Sequence, residues 1–186
     1  FFAGVGGRVH GEHGWDMHDL AGSNARYRTL RKFLKPFIKR FIPLSVEIND
    51  YLVSSVGVKP HLIRRICNGV DTQLFLPGKQ TRVCLEGGTP EGDIVIGYVG
   101  RMEDVKDPLN LVDAFIQGMQ RHPEMREKVR LAMIGDGSLM NEVVSRLEKH
   151  DLSDRAWVPG HRNDIANILQ SFDIFVLPSK AEGISN

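Results

Sequence analysis

From residue 93 onward the chain alternates, with short connections, between β-branched apolar runs and stretches of helical period. The runs are "DIVIGYVG" (93–100), "VRLAMIG" (129–135), "AWVPG" (156–160) and "DIFVLPS" (173–179). Between them lie "DPLNLVDAFIQGMQRH" (107–122), "SLMNEVVSRLEKH" (138–150) and "NDIANILQS" (163–171). In the first of these, Leu109, Leu111, Val112, Phe115, Ile116 and Met119 recur at helical spacing. Asp107 before Pro108 reads as an N-cap followed by proline at the first helical position. Strand and helix in alternation with connections this short require crossovers, and crossovers build a parallel, doubly wound sheet. The fold class expected is α/β.

The first half has the same character in weaker form. "RVHGEH" reads as a strand, 24–41 as one basic helix interrupted by Pro36, and "IPLS" (42–45) as a second strand. Residues 46–57 form a helix capped by Ser45, and 61–71 a strand leaving into a loop. The stretch 72–93, rich in Gly, Pro and Thr and without a sustained period, separates two α/β units. The expected division is 1–76, a linker at 77–92, and 93–186. Both ends look internal: the chain opens on "FFAGVGGRVHGEHG" and stops at "LPSKAEGISN", a strand running into a loop without the helix that should follow. The expectation is a piece of a larger enzyme, inactive by itself.

In an open parallel sheet, ligands bind beyond the carboxyl ends of the strands, so the residues just after each strand are the candidates. After the first comes "GRMEDVKDP", where Gly100, Arg101 and Lys106 share one loop; a planar fork of donors and a mobile ammonium suit a diphosphate. The plainer reading is two solvated basic residues. After the second comes "IGDGSL", in which Gly135 and Gly137 would let backbone amides approach a ligand. After the third comes "PGHRND", where Gly160, His161 and Arg162 either flank a nucleobase or merely turn the chain. After the fourth come Glu182 and the amides of Gly183 to Asn186. A dinucleotide site, as in an epimerase or oxidoreductase, needs G-x-G-x-x-G, and "GYVGRM" is not that.

The loop "HGEHGWDMHD" packs His10, Glu12, His13, Asp16, His18 and Asp19 together, but at spacings that repeat on no helical face and without HExxH or paired cysteines. A single imidazole acting on a ligand suits it better than a metal. The basic helix carries Arg26, Arg28, Arg31, Lys32, Lys35, Lys39 and Arg40 with no acidic residue among them, interleaved with Tyr27, Leu30, Phe33, Leu34, Phe37 and Ile38. Such a helix can rest on an anionic bilayer, at about 1 kcal/mol per basic residue, or simply be a solvated face over a core; a non-catalytic docking module is a third class of reading. A net charge of +1 gives no case for nucleic acid, and two cysteines, Cys67 and Cys84, make neither a disulfide framework nor a zinc site. The apolar runs are far shorter than the roughly 18 to 20 residues that span a bilayer.

Taken in order, "VHGEHGWD", "PLSVEINDYL", "ICNGVD", "YVGRMEDVKDPLNLVDAF", "LAMIGDGSL", "WVPGHRNDIANIL" and "SFDIFVLPSKAEGISN" resemble the retaining glycosyltransferases of family 4, with the GT-B fold. The resemblance is collinear over nearly the whole chain, and is strongest to bacterial sugar transferases of exopolysaccharide and lipopolysaccharide assembly. It implies two Rossmann-like domains, both incomplete here, and a nucleotide-diphosphate sugar (UDP or GDP type) held mainly by the second. It implies that Arg101 and Lys106 neutralise the donor diphosphate. Glu182 matches the first glutamate of the family's E-x7-E motif, which contacts the donor sugar, assisted by amides of Gly183, Ile184 and Ser185. His13 matches the histidine beside the transferred sugar, with His10 as the fallback, and "NGVD" (68–71) matches the interdomain crossover. The acceptor implied is lipid-linked or a glycan, and the setting cytoplasmic, peripheral on the inner membrane face. No D-x-D carboxylate cluster is present, in keeping with metal-independent GT-B chemistry.

Overall fold

The computed structural model describes residues 4–14, 19, 22–78 and 92–182. The chain divides into two compact units, one of residues 1–70 with 181–186, the other of 71–180.

The second unit is a four-stranded parallel sheet. Its strands are β3 (Ile94–Val99), β4 (Val129–Ile134), β5 (Ala156–Gly160) and β6 (Ile174–Phe175), in the spatial order β5-β4-β3-β6. The central strands bury both faces, which is why they read as unbroken apolar runs rather than as an alternation. On one face Tyr98, Leu131 and Met133 pack beneath α3 (Pro108–Arg121) and α4 (Met140–Lys149), which contribute Leu111, Val112, Phe115, Val143 and Leu147. On the other, Val95, Ala132, Ile134 and Trp157 pack with Ile165 and Ile168 of α5 (Ile165–Leu169). Helices on both faces make the unit doubly wound, as expected. β4 and β5 slip register between Ala132 and Ile134, so that Val158 and Pro159 oppose Met133 alone.

Three local expectations change. Asp107 does precede Pro108 at the start of α3, but with φ 48° it is left-handed and its side chain makes no cap; a capping side chain needs extended backbone to reach back over the first turn. β6 is two residues long instead of seven, and Ile174 and Phe175 are about half exposed. α5 is also shorter than its apolar pattern suggested.

The first unit pairs β1 (Val9–Glu12) with β2 (Arg40–Pro43) in parallel. Its core joins Phe41 to Ile48 of α2 (Val46–Tyr51), to Leu52 and Val56 of the π-helical turn that continues α2, and to Val58. Ser45 caps α2 as its sequence implied, accepting from the N–H of Ile48 at 3.2 Å. The basic helix is shorter than expected. Here α1 runs Ala25–Leu34, a 3-10 turn follows at Lys35–Phe37, and 40–43 is strand; Pro36 lacks the N–H that a continuing helix would need. The segment expected as a strand at 61–71 begins as a 3-10 turn, Pro60–Leu62, then runs beside β2, with Arg64 donating to the Phe41 carbonyl and Ile66 to that of Pro43.

Candidate functional site

β3, β4 and β5 end side by side, and the loops that leave them enclose a cavity of about 380 Å³. β3 supplies Val99, Gly100 and Arg101; β4 supplies Ile134, Gly135 and Asp136; the segment after β5 supplies His161, Arg162 and Ile165. The three loops are laced together through main chain. Gly100 N–H donates to Ile134 O at 3.0 Å, Gly135 N–H to Gly160 O at 3.0 Å, Met102 N–H to Asp136 O at 2.9 Å, and Leu139 N–H to Met102 O at 2.9 Å.

This lacing explains two glycines. Gly135 sits at φ 137°, and a Cβ there would stand 1.9 Å from the Gly100 carbonyl oxygen. A Cβ on Gly137 would stand 2.5 Å from that of Met102. Side chains at either position would force the first two loops apart.

The charged groups at the cavity are held from behind. The buried phenol of Tyr98 donates to the Arg101 carbonyl at 2.8 Å, fixing the backbone from which the exposed guanidinium extends. Glu103, two residues on, accepts from the N–H and the hydroxyl of Ser138 at 3.0 and 2.7 Å. Those hydrogen bonds, with a smaller contribution from the Arg101 charge, hold its carboxyl below the usual range. Arg162 lies over the Trp157 ring, 5.8 Å from its centroid, and donates through Nε and an Nη to the two Asp164 oxygens at 2.9 and 2.8 Å. His161 Nε2 shares a hydrogen bond with Asn163 Oδ1 at 3.2 Å. The result is an apolar lining of Val99, Ile134 and Ile165 beside the Arg101 guanidinium, the Asp164-paired Arg162 and the Asp136 carboxylate, a mixed site suited to a flat body with a polar, charged tail.

Of the residues singled out from sequence, Gly100, Arg101, Gly135, His161 and Arg162 line this cavity. Gly160 and Gly137 support it through the main-chain contacts above. Lys106 ends the half-buried 3-10 turn Asp104–Lys106 in the same β3–α3 loop. Glu182 is half-buried, and Gly183, Ile184 and Ser185 lie outside the described residues. Asp136 stands inside a quoted motif but had no periodicity or spacing to mark it. Glu103 and Ser138 were missed because their partnership spans 35 residues of sequence.

In the first unit His13 is exposed just after β1, and its ring folds back so that Nε2 is 2.7 Å from where a Cβ on Gly11 would be. His10 takes a structural part. Its Nε2 shares a hydrogen bond with Glu12 Oε1 at 3.0 Å, and its ring meets Phe41 edge-on. Glu12 is 7% exposed and accepts from Arg31 Nε at 2.8 Å. Burial alone would raise its carboxyl, but hydrogen bonds from His10 and Arg31, with the Arg31 charge, lower it to about 2. Asp16 and His18 lie outside the described residues. Among the described residues no group of three His, Cys, Asp or Glu is placed to hold a metal ion, and no helix is long and apolar enough to cross a membrane.

A family model described as glycosyl transferases group 1 matches residues 93–186. The chain is 31% identical over 187 residues to the UDP-Gal:α-D-GlcNAc-diphosphoundecaprenol α-1,3-galactosyltransferase of Escherichia coli, covering 98% of this chain and 48% of that protein. It is 30% identical over 139 residues to the D-inositol 3-phosphate glycosyltransferase of Kribbella flavida, covering 70% and 32%. The chain thus spans about half or less of the curated relatives it matches. A mutant of S. aureus TarM, solved with fondaparinux, α-GlcNAc-glycerol and UDP, superposes with a TM-score of 0.75 at 16% identity over 96% of this chain and 33% of that one. The fold is that of the GT-B glycosyltransferases, α/β with parallel sheets.

Proposed function

Because the chain belongs to the glycosyl transferases of group 1, we propose that the protein transfers a sugar from a nucleotide-diphosphate donor to a lipid-linked or glycan acceptor, with retention at the anomeric carbon. The observation that carries this reading is the cavity at the ends of β3, β4 and β5, with its apolar lining and its guanidinium groups. The lining takes the nucleoside, and Arg101 with Lys106 neutralises the diphosphate as it departs. Glu182 and the amides of 183–185 contact the donor sugar, and His13 acts beside the transferred one. Fixed positive charge of this kind stabilises a leaving diphosphate without a divalent cation, so activity is expected to persist in excess chelator.

The E. coli relative bears a name with a UDP-sugar donor and a lipid diphosphate acceptor, which supports assembly of a cell-surface polysaccharide as the setting. Work on such an acceptor takes place at a cytoplasmic bilayer surface. α1 suits that surface: Leu30, Phe33 and Leu34 are 55%, 70% and 40% exposed, alongside exposed Arg26 and Lys32.

Calorimetry of the full-length protein with UDP, GDP and their monophosphates tests the donor site. Arg101→Ala or Lys106→Ala is expected to weaken diphosphate binding by about 1.5 to 3 kcal/mol, as for a charge-assisted hydrogen bond. Equal affinity of the unmutated protein for each diphosphate and its monophosphate would overturn the reading.

A further inference from the structure

The turn that carries Lys106 is short, half-buried and conformationally demanding. Asp104 to Lys106 form a single 3-10 turn, closed by Asp107 N–H on the Asp104 carbonyl at 3.2 Å, and Asp107 then adopts φ 48°. A left-handed non-glycine residue persists only where its surroundings hold it there. Its own side chain supplies no cap, so the constraint must come from elsewhere.

One residue reaches all three positions of the 104–107 turn other than Lys106. The Lys180 N–H donates to the Val105 carbonyl at 2.9 Å, its ammonium donates to Asp104 Oδ1 at 2.6 Å, and Asp107 Oδ1 lies 4.0 Å from the same nitrogen. Lys180 follows β6, so it ties the end of one strand to the loop that leaves its neighbour β3. On its other side that loop is already fixed to the β4–α4 connection through Glu103 and Ser138.

We infer that Lys180 is a positioning residue for the diphosphate site, holding the 104–107 turn in the shape from which Lys106 reaches its ligand. The inference rests on the donor-site reading given above. The Asp104 partner is 74% exposed and Lys180 44%, so the pair adds little to global stability and acts on the turn itself. The hydrogen bond that Lys180 donates to Asp104, with the charges of Asp104 and Asp107 and against a lowering by burial, raises the Lys180 ammonium above its ordinary range, so the contact stays charged throughout neutral pH.

Two signs separate positioning from simple charge. Lys180→Ala loses a positive charge, and both ideas expect weaker anion binding. Asp104→Asn loses a negative charge beside the site, so Coulomb attraction alone expects tighter binding of a diphosphate. Positioning expects weaker binding.

Calorimetry with UDP and GDP against UMP and GMP decides this in the full-length protein. Lys180→Ala and Asp104→Asn should each lose about three- to tenfold in diphosphate affinity, with monophosphate affinity and Tm nearly unchanged. The double variant should be no worse than the weaker-binding single one, and Lys180→Arg should restore most of the loss. Unchanged diphosphate affinity in Lys180→Ala, or tighter binding in Asp104→Asn, overturns the inference. Should Arg101→Ala also bind normally, or the unmutated protein bind neither diphosphate, the donor-site reading falls and this inference with it.

Discussion

The carboxylate of Glu103 takes both the backbone N–H and the hydroxyl of Ser138, joining the loop after β3 to the loop after β4. The pair is exposed, so water can replace it, and its value lies in the relative placement of the two loops rather than in global stability.

Ser138→Ala should therefore leave Tm unchanged while weakening nucleotide-diphosphate binding by about two- to fivefold. Because Ser138 holds the Glu103 carboxyl below its ordinary range, the contact is intact above that range and is lost as pH falls through the lowered value. Titration calorimetry at neutral pH and near pH 5 should show the same ratio between variant and parent. A smaller ratio at pH 5 would mean that Glu103 titrates higher than its partners imply.

Gly135→Ala should be severe. The new methyl group would lie 1.9 Å from the Gly100 carbonyl oxygen, on a backbone at φ 137° that alanine rarely adopts. Main chain, rather than a pliant side chain, has to move, so the expected cost is about 2 to 4 kcal/mol. Urea unfolding measures it; a cost below about 1 kcal/mol would show that the loops separate freely.

Glu12 predicts an acid sensitivity. Its carboxyl falls from 4.5 in an open chain to about 2 in the fold, so the unfolded chain binds the proton first. The stabilisation is complete above pH 4.5 and is lost progressively as pH falls towards about 2, at most about 3 kcal/mol in all. Glu12→Gln should flatten this part of the stability profile, as read from urea midpoints at pH 7 and pH 3. An unchanged slope would place the acid sensitivity on another carboxylate.

Membrane docking through α1 and the turn after it can be tested without breaking the fold, but only with the right basic residues. Arg31 is bound to Glu12, and the Lys35 ammonium donates to the Gly57 carbonyl at 2.9 Å, so reversing either would disturb packing. Arg26, Lys32 and Lys39 are exposed. Changing these three to glutamate should abolish sedimentation with anionic vesicles and preserve nucleotide binding, since the attraction is screened beyond roughly 8 Å at physiological ionic strength. Sedimentation that survives the change would make α1 an ordinary solvated face.

The second unit was largely legible from the sequence because burial on both faces leaves long apolar runs, as in β3 and β4, and a clear helical period, as in α3. β6 was overestimated: "DIFVLPS" has the same composition as a central strand, yet only two of its residues pair with β3. The first unit was harder, since the backbone at 63–66 runs beside β2 without forming a full strand, and α1 yields to Pro36. At the cavity, single residues after strands could be nominated from position alone. Pairings such as Glu103 with Ser138 could not, because nothing in local sequence couples residues that only the sheet brings together.

Pro159 has one more consequence. Among the described residues β5 is an outer strand of the sheet, and an outer strand offers a row of unsatisfied main-chain groups to any passing chain. Proline has no N–H to offer there, and the slipped register around it bends the strand out of line. The bulge of Val158 and Pro159 thus blunts this edge of the sheet as a template for aggregation, leaving no straight strand here for another chain to extend.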